Sequence, residues 1–534
     1  MSSTSSPTIL APATTQLVSN GSLTSMLRNS GTGFIRWRDL AVSRWREDPT
    51  CDPWGSFMLL RDEESGQVWS PTAQPLGDVD PLDERSFVPG RASFSNLRHD
   101  LHSALDVAVA PDADVELRRL TVSNRGEQAR KLSLTTYVEL VLGPAGDDRA
   151  HPAFSKMFVQ TEWDGQVGAL LATRRRRSDS QPEVWAAQTL QVRGHEASVT
   201  YETDRVRFLG RGRTLRTAAA MQPGASLSNT VGCVLDPVFS LRHAFTLAPG
   251  ASIELLLWTQ VGDSREIAES LDARLQDPEA MTQLLADATN DAEVGLQQSG
   301  ITPELATQFA HWLSALLISD SDQRASATQR ARGHGGPPTL WGASISGDRP
   351  IALIYVERRA DVTQLDTLLA AQRWWRADGV AVDVVVLDRL GQNGEATRSA
   401  LQQRVDEQKK QLDAGEARKA ELFCLRDDQI DDTLRDGLLT VARLLLGVPE
   451  QNAAPAPTHD AAPKAPLQAT KPAHSDASED EALEFRNGYG GFSDGGRSYR
   501  IELDAAQPTP APWTNVMSNA TFGCIVTAEG GGYT

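Results

Sequence analysis

The chain has 534 residues, 40% hydrophobic and 23% charged, with 70 acidic against 52 basic residues and a formal charge of −18. That length exceeds one compact core and, at about 150 residues per domain, fits three or four units. The negative field disfavours phosphate backbones and anionic lipid, which excludes nucleic acid as a partner, and no apolar run approaches the ~20 residues that direct membrane insertion needs. Cys51, Cys233, Cys424 and Cys524 are far apart and form no Cys-x-x-Cys pair, and residues 1–14 lack a secretory signal. This usage fits a reducing, cytoplasmic compartment rather than a disulfide scaffold.

Taken in chain order, residues 1–14 read as disordered and 15–263 as a large antiparallel β-sandwich. Leu132, Leu134, Thr136, Val138, Leu140 and Leu142 alternate with the period of a half-buried strand. Before them, Val115 and Leu117 give way to Leu120 and Val122, and this change of phase at Arg118-Arg119 predicts a bulge. Ser123-Asn124-Arg125-Gly126 and Ala248-Pro249-Gly250 read as two hairpin turns.

Residues 264–339 form a helical connector. Ile267, Leu271 and Leu275 are spaced by four, Phe309, Trp312, Leu313, Leu316 and Leu317 make an apolar stripe, and Thr302-Pro303 reads as a cap and first turn. Residues 340–448 alternate short apolar strands with helical stretches near 362–377, 395–413 and 430–446, the pattern of a small, mainly parallel βαβ domain. The Ala/Pro/Lys/Asp/Ser-rich stretch 449–483 reads as a disordered linker. Residues 484–534 read as the truncated start of a second sandwich. Ser518-Asn519 followed by Gly530, Gly532 and Tyr533 repeats Ser19-Asn20 followed by Gly31, Gly33 and Phe34, without a gap. The expected fold class is therefore multidomain: mainly β with α/β.

The densest motifs are Gly33-Phe-Ile-Arg-Trp-Arg-Asp39, Arg44-Trp-Arg-Glu-Asp48, Asp52-Pro-Trp-Gly55 and Val68-Trp-Ser-Pro-Thr-Ala-Gln-Pro75. With His151-Pro-Ala-Phe-Ser-Lys156, Phe208-Leu-Gly-Arg-Gly-Arg213 and Asn487-Gly-Tyr-Gly-Gly-Phe492, they resemble the phosphorylase-like region of cyclic β-1,2-glucan synthases. That region belongs to the cellobiose-phosphorylase family, glycoside hydrolase family 94 (formerly glycosyltransferase family 36); the 1,2-β-oligoglucan phosphorylases are relatives. The resemblance implies an N-terminal sandwich, a helical connector and an (α/α)₆ barrel whose aspartate acts as general acid while phosphate attacks with inversion. In the synthases it also implies a membrane-embedded glucosyltransferase using UDP-glucose, so the parent is expected at the bacterial inner membrane. The chain stops before such a barrel, so no catalytic residue is expected here. What is expected is a carbohydrate-binding and scaffolding fragment, with β-1,2-linked glucan and the parent's barrel as partners and a homodimer left open. A soluble oligoglucan phosphorylase fragment, a stand-alone lectin-like protein and a nucleotide-binding enzyme at 340–447 are the alternatives.

The expected substrate-binding residues are Trp37, Arg38, Trp45, Arg46, His151 and Lys156. Indole faces edged by guanidinium and carboxylate groups suit the apolar faces and hydroxyl rims of sugars. The competing assignment is that both tryptophans fill the core. Trp54 and Trp69 read as loop anchors and Arg174–Arg177 as a solvated turn. Gly391-Gln-Asn-Gly394 reads as a plain turn lacking a nucleotide loop's further glycine and lysine. His99 and His102 have no third ligand, so neither metal nor cofactor is expected.

Overall fold

The computed structural model describes residues 15–447 and 483–534, except 179–180, 194–198, 278, 319–320, 335, 337, 392–393, 414–419 and 504–507. The expectations for residues 1–14 and for nearly all of the linker lie outside the described residues, as does the middle of Gly391–Gly394. The described residues up to 447 form one compact unit and those from 483 belong to a second.

The first unit opens with strands β1 (Thr15–Ser19), β2 (Leu23–Arg28), β3 (Gly33–Trp37), β4 (Leu40–Ser43), β5 (Phe57–Asp62) and β6 (Val68–Trp69). Next come β7 (Glu84–Val88), β8 (Arg91–Arg98), β9 (Leu101–Val109), β10 (Val115–Asn124) and β11 (Arg130–Gly143). Two short helices, α1 (Ala145–Ala150) and α2 (Pro152–Lys156), lead to β12 (Val159–Asp164), β13 (Ala169–Arg174), β14 (Trp185–Val192) and β15 (Thr200–Asp204). Helix α3 (Arg205–Leu209) precedes β16 (Pro237–Leu247) and β17 (Ser252–Gly262). One sheet runs β1-β2-β3-β4-β11-β16-β15, with β5 on β11 and β6 on β5; the other runs β12-β13-β14-β17-β10-β9-β8-β7. Both are antiparallel, and a single apolar core draws on the two sheets together.

Both expected hairpins are arches between the sheets. β10 pairs with β9 and β17 while β11 pairs with β16 and β5, so the turn at Ser123–Gly126 leaves one sheet for the other, and Ala248–Gly250 makes the return crossing. Asn124 holds the two arches side by side. Its backbone N–H donates to Ala251 O (2.9 Å), its carbonyl accepts from Gly250 N (2.9 Å), and its side-chain amide donates to Leu247 O (3.1 Å).

The expected bulge is absent, since β10 keeps unbroken register from Val115↔Gln260 to Ser123↔Ser252. The apparent change of phase arises because both faces are covered. Val115 and Leu117 lie under α4 (Ile267–Gln276) and α5 (Ala280–Gln298) on the outer face. On the other face Glu116 and Arg118 form a buried pair (2.7 Å), with Ser25 Oγ also donating to Glu116 (2.5 Å). β11 is likewise buried on both faces from Leu132 onward rather than half-buried, because the segment around Phe208–Leu227 packs over Tyr137.

Helix α6 (Pro303–Leu317) starts where the sequence placed it, Thr302 Oγ1 accepting from Leu305 N (3.3 Å). After the single turns α7 (Ala327–Arg330) and α8 (Pro338–Trp341) come β18 (Ile351–Val356), α9 (Arg359–Ala377), β19 (Asp383–Asp388) and α10 (Glu395–Asp413). β20 (Leu422–Arg426), α11 (Asp432–Val441) and β21 (Leu444–Leu446) follow. The helical stretch expected to reach 446 thus stops at Val441, and the apolar Leu444-Leu445-Leu446 becomes a fourth parallel strand beside β18. The order is β20-β19-β18-β21, all parallel. The stripe on α6 packs with α9 on one face of this sheet, while Leu438 and Leu439 of α11 cover the other.

In the second unit β22 (Gly490–Ser493) pairs with β23 (Ser498–Ile501), and β24 (Thr514–Ser518), β25 (Gly523–Thr527) and β26 (Gly532–Tyr533) form a three-stranded sheet. The repeat in sequence is also a repeat in hydrogen bonds. Asn20 Oδ1 accepts from the N–H groups of Ser22 and Leu23, and Asn519 Oδ1 from those of Thr521 and Phe522. Ser19 pairs with Thr24 and Ser518 with Gly523, while Gly31 and Gly530 turn with φ of 87° and 85°.

Candidate functional site

The segment Arg44-Trp45-Arg46-Glu47 follows β4 in extended form, so successive side chains take different surroundings. Arg44 points inward. Its guanidinium forks onto Asp148 (Nη2–Oδ1 3.0 Å, Nε–Oδ2 3.1 Å) and reaches Glu139 Oε2 at 2.5 Å and Asp236 Oδ1 at 3.6 Å. Arg205 bridges Glu139 Oε1 (2.7 Å) and Asp236 Oδ2 (3.4 Å), Lys156 Nζ lies 2.8 Å from Asp236 Oδ1, and Tyr137 Oη donates to Glu139 (2.8 Å). Four basic groups, counting Arg46 at 3.5 Å from Asp148, thus interleave with three carboxylates at the end of β11. There Leu142 takes the left-handed φ of +50°, beside the register shift where β11 passes from Leu140 to Gly143 against β4. The chain then turns into α1 and α2.

Burial alone would raise the carboxyls. For Asp148 the hydrogen bonds and charge of Arg44 outweigh it and hold the group below the ordinary range; for Glu139 the nearby charges of Arg205 and Arg44 do the same. Desolvation pushes Tyr137 well up, so its hydroxyl stays protonated and donating. Buried pairs of this kind survive only when charge and hydrogen bonds are both satisfied. The cluster fixes the α1–α2 loop, and Glu139 and Asp148 are held ionised in it rather than protonated for general-acid work.

Of the expected site residues, the structure gathers Arg46, His151 and Lys156 around this loop. Arg46 lies between Asp148 and Trp54, its guanidinium 5.9 Å from the centre of the indole, and its side chain is 37% exposed. His151 is exposed at the start of α2, whereas Lys156 is committed to Asp236. Trp54, read from the sequence only as an anchor, is half-buried and is the ring over which the Arg46 guanidinium lies.

The tryptophans singled out by sequence are placed inward. Trp37 is 1% exposed within the sandwich core, its Nε1 donates to Asp114 Oδ2 (2.6 Å), and Arg38 lies over its ring at 4.3 Å. No ring face is left for a sugar, so Trp37 is corrected to a core residue, and Arg38 is engaged in covering it. Trp45 is half-buried edge-on to Phe34 (5.7 Å) and packs against the core shared with α6 and the parallel sheet. Glu47 pairs with Arg443 (2.7 Å), which makes the segment a junction between the sandwich and the parallel sheet.

Trp69 is buried, and His99 sits edge-on to it in the β8–β9 turn while His102 bonds Ser95 (2.9 Å). Among the described residues no group of His, Cys, Asp or Glu could hold a metal ion. The arginine run is only partly solvated. Arg174 is half-buried and donates to Ser155 O (2.8 Å), while Arg175 and Arg177 lie over Phe158 at 5.4 and 5.9 Å. At the parallel sheet, strand order reverses between β18 and β21, the position where doubly wound folds bind ligands. There Asp361 Oδ2 already accepts from Glu357 N (2.9 Å) and Arg358 N (2.8 Å), which fills the N-terminus of α9 with a carboxylate.

The first unit is thus a two-sheet antiparallel supersandwich followed by a helical connector, with a loop clamped by ion pairs. Comparison with known proteins makes the assignment specific: the family model described as "Glycosyl hydrolase 94, supersandwich domain" matches residues 2–278 and 497–534, and the chain belongs to this family. It is similar to the cyclic beta-(1,2)-glucan synthase NdvB of Rhizobium meliloti (strain 1021), 32% identical over 97% of this chain and 19% of that protein. It is also similar to the N,N'-diacetylchitobiose phosphorylase of Vibrio proteolyticus (25% identical, 48% of this chain, 32% of the relative). The solabiose phosphorylase of Paenibacillus borealis is 24% identical over 44% of this chain and 30% of that protein. The chain thus spans between about a fifth and a third of the length of these relatives. No helix among the described residues is long and apolar enough to cross a membrane.

Proposed function

We propose that the chain is a carbohydrate-binding and scaffolding segment of a β-1,2-glucan-processing protein of the cyclic glucan synthase type. The whole protein would act by glucosyl transfer or inverting phosphorolysis, with this segment on the cytoplasmic side of the inner membrane. In this proposal the sandwich at 15–263 carries the glucan contacts, and the connector and the α/β domain at 340–448 brace it. The observation that carries the reading is the match to the glucan synthase along almost the whole chain. The contact surface is Arg46 and Trp54, from the segment between β4 and β5, with His151 from the clamped α1–α2 loop. Arg46 offers donors to sugar hydroxyls, and the half-buried indole beside it offers an apolar face.

The test is binding of linear β-1,2-glucan to the purified chain and to its Arg46→Ala and Trp54→Ala variants, with thermal unfolding recorded in parallel. Loss of a stacking indole should cost about 1 kcal/mol or more of binding. Weakened binding at an unchanged melting temperature supports the surface. Unaltered affinity in both variants overturns it, and release of glucose 1-phosphate by the chain alone would overturn the scaffolding assignment.

A further inference from the structure

A recess lies on the other sheet of the sandwich. An open groove of about 420 Å³ is bounded by Arg91 and Arg119 on the outer face of β8 and β10, and by one face of α5. Its size falls within the range of roughly 300–1,000 Å³ usual for small-molecule sites. The helix contributes Thr282, Leu285, Thr289, Asn290 and Glu293, positions that recur every three or four residues and so line the groove along about 16 Å of helix. Gly90 sets the width. At φ +74° it has no Cβ, and one placed there would fall 2.1 Å from Ala288 O, so only glycine lets α5 approach the start of β8 this closely.

Two features mark the groove as built to receive something. Arg91 makes no hydrogen bond or ion pair among the described residues, although it is half-buried and its Nε is fully shielded. Arg119 spends only its Nη2, on Asp106, and its own Nε is shielded and unpartnered too. A guanidinium at the wall of a groove with its Nη donors unused can take an acceptor from a ligand. Asp106 is in turn held by Ser93 Oγ (2.6 Å), directly across the register of β8, so it does not swing over to Arg91.

We propose that this groove binds a hydroxyl-rich, uncharged ligand, a short stretch of glucan chain, independently of the Arg46 surface. The charge balance selects the class. Asp106 is already paired with Arg119, and Glu293 lines the same groove as both arginines, so a phosphate or a dicarboxylate entering it would meet a like charge. A sugar hydroxyl both donates and accepts: it can take donors from the Nη groups of Arg91 and use Asn290, Thr289 and Glu293 as well. The proposal rests on the carbohydrate-binding reading above only in the choice of probe.

The test is arginine modification of the whole chain by phenylglyoxal, read residue by residue by peptide mass spectrometry. It is run alone, with linear β-1,2-gluco-oligosaccharides, and with inorganic phosphate. The oligosaccharides are expected to lower modification of Arg91 at least fivefold and phosphate is not. Protection at Arg46 without protection at Arg91 overturns this inference and leaves the proposed function standing. Protection at Arg91 alone supports the groove and overturns the Arg46 surface. Protection of Arg91 by phosphate and not by glucan overturns the ligand class. Arg91→Met, which keeps the aliphatic stem, should melt no lower than the parent and bind the oligosaccharides at least tenfold more weakly at this site; unchanged protection of Arg119 in that variant refutes the assignment.

Discussion

Replacing Trp37 with alanine separates the two roles that its sequence context allows. The indole is fully enclosed between the sheets, and removing a buried aromatic ring from a core costs about 3–5 kcal/mol. The substitution also removes the Nε1 donor to Asp114, leaving that carboxylate with Ser22 Oγ at 3.0 Å and Asn20 Nδ2 at 3.4 Å. A lost hydrogen bond to a charged group adds on the order of 1.5–3 kcal/mol, only part of which is independent of the packing loss. A total of about 4 kcal/mol, at roughly 2–4 °C per kcal/mol for a unit of this size, predicts a fall of ~8–16 °C in the sandwich transition. Trp37→Phe keeps most of the ring and should lose about 1.5–3 kcal/mol, the share belonging to Asp114. Calorimetry on the parent and both variants, with glucan affinity measured well below the lowest transition, makes the comparison. A Trp37→Ala variant with an unshifted transition and lost glucan affinity would show the indole facing ligand and refute the core assignment.

Arg44→Met leaves Glu139 and Asp148 buried with fewer partners and should destabilise the sandwich by about 3–5 kcal/mol, as breaking a buried ion pair does; urea denaturation reads this. The same pair sets an acid limb. Both carboxyls are held below their ordinary range in the fold, so their stabilisation is complete above that range and is lost as pH falls through the folded values. Melting temperature against pH should drop on the acid side in the parent and drop less in Arg44→Met. Asn124→Ala removes the amide that joins the two arches and should cost about 1–3 kcal/mol with glucan affinity unchanged, checked by unfolding and titration together.

Much of the fold is legible in the sequence because apolar spacing reports local period. The strand from Leu132 to Leu142, the cap at Thr302-Pro303 and the stripe on α6 all emerge where the spacing puts them, although the strand is buried on both faces. Spacing does not say which sheet a strand joins. Asn124 and Pro249-Gly250 look like hairpin turns because an arch and a hairpin use the same turn residues, and only the pairing of β10 with β17 tells them apart. Burial on two faces also erases period: Val115 and Leu117 under helices, with Glu116 and Arg118 paired inside, imitate a bulge. The site was harder to see. An indole flanked by arginines and followed by a carboxylate suits a sugar, and it equally suits a core ring that bonds Asp114 and lies beneath Arg38. What brings Arg46 to Trp54 is the path of the chain between β4 and β5, and what brings it to Asp148 is the position of α1 after β11; no local pattern encodes either.

Hydrogen exchange of the purified chain with and without linear β-1,2-glucan, followed by mass spectrometry, tests the central claim most directly. Glucan held on the loop surface should slow exchange in peptides covering residues 44–54 and 145–157, and the protection should vanish in Trp54→Ala. Unchanged exchange in both peptides at saturating glucan would contradict the account.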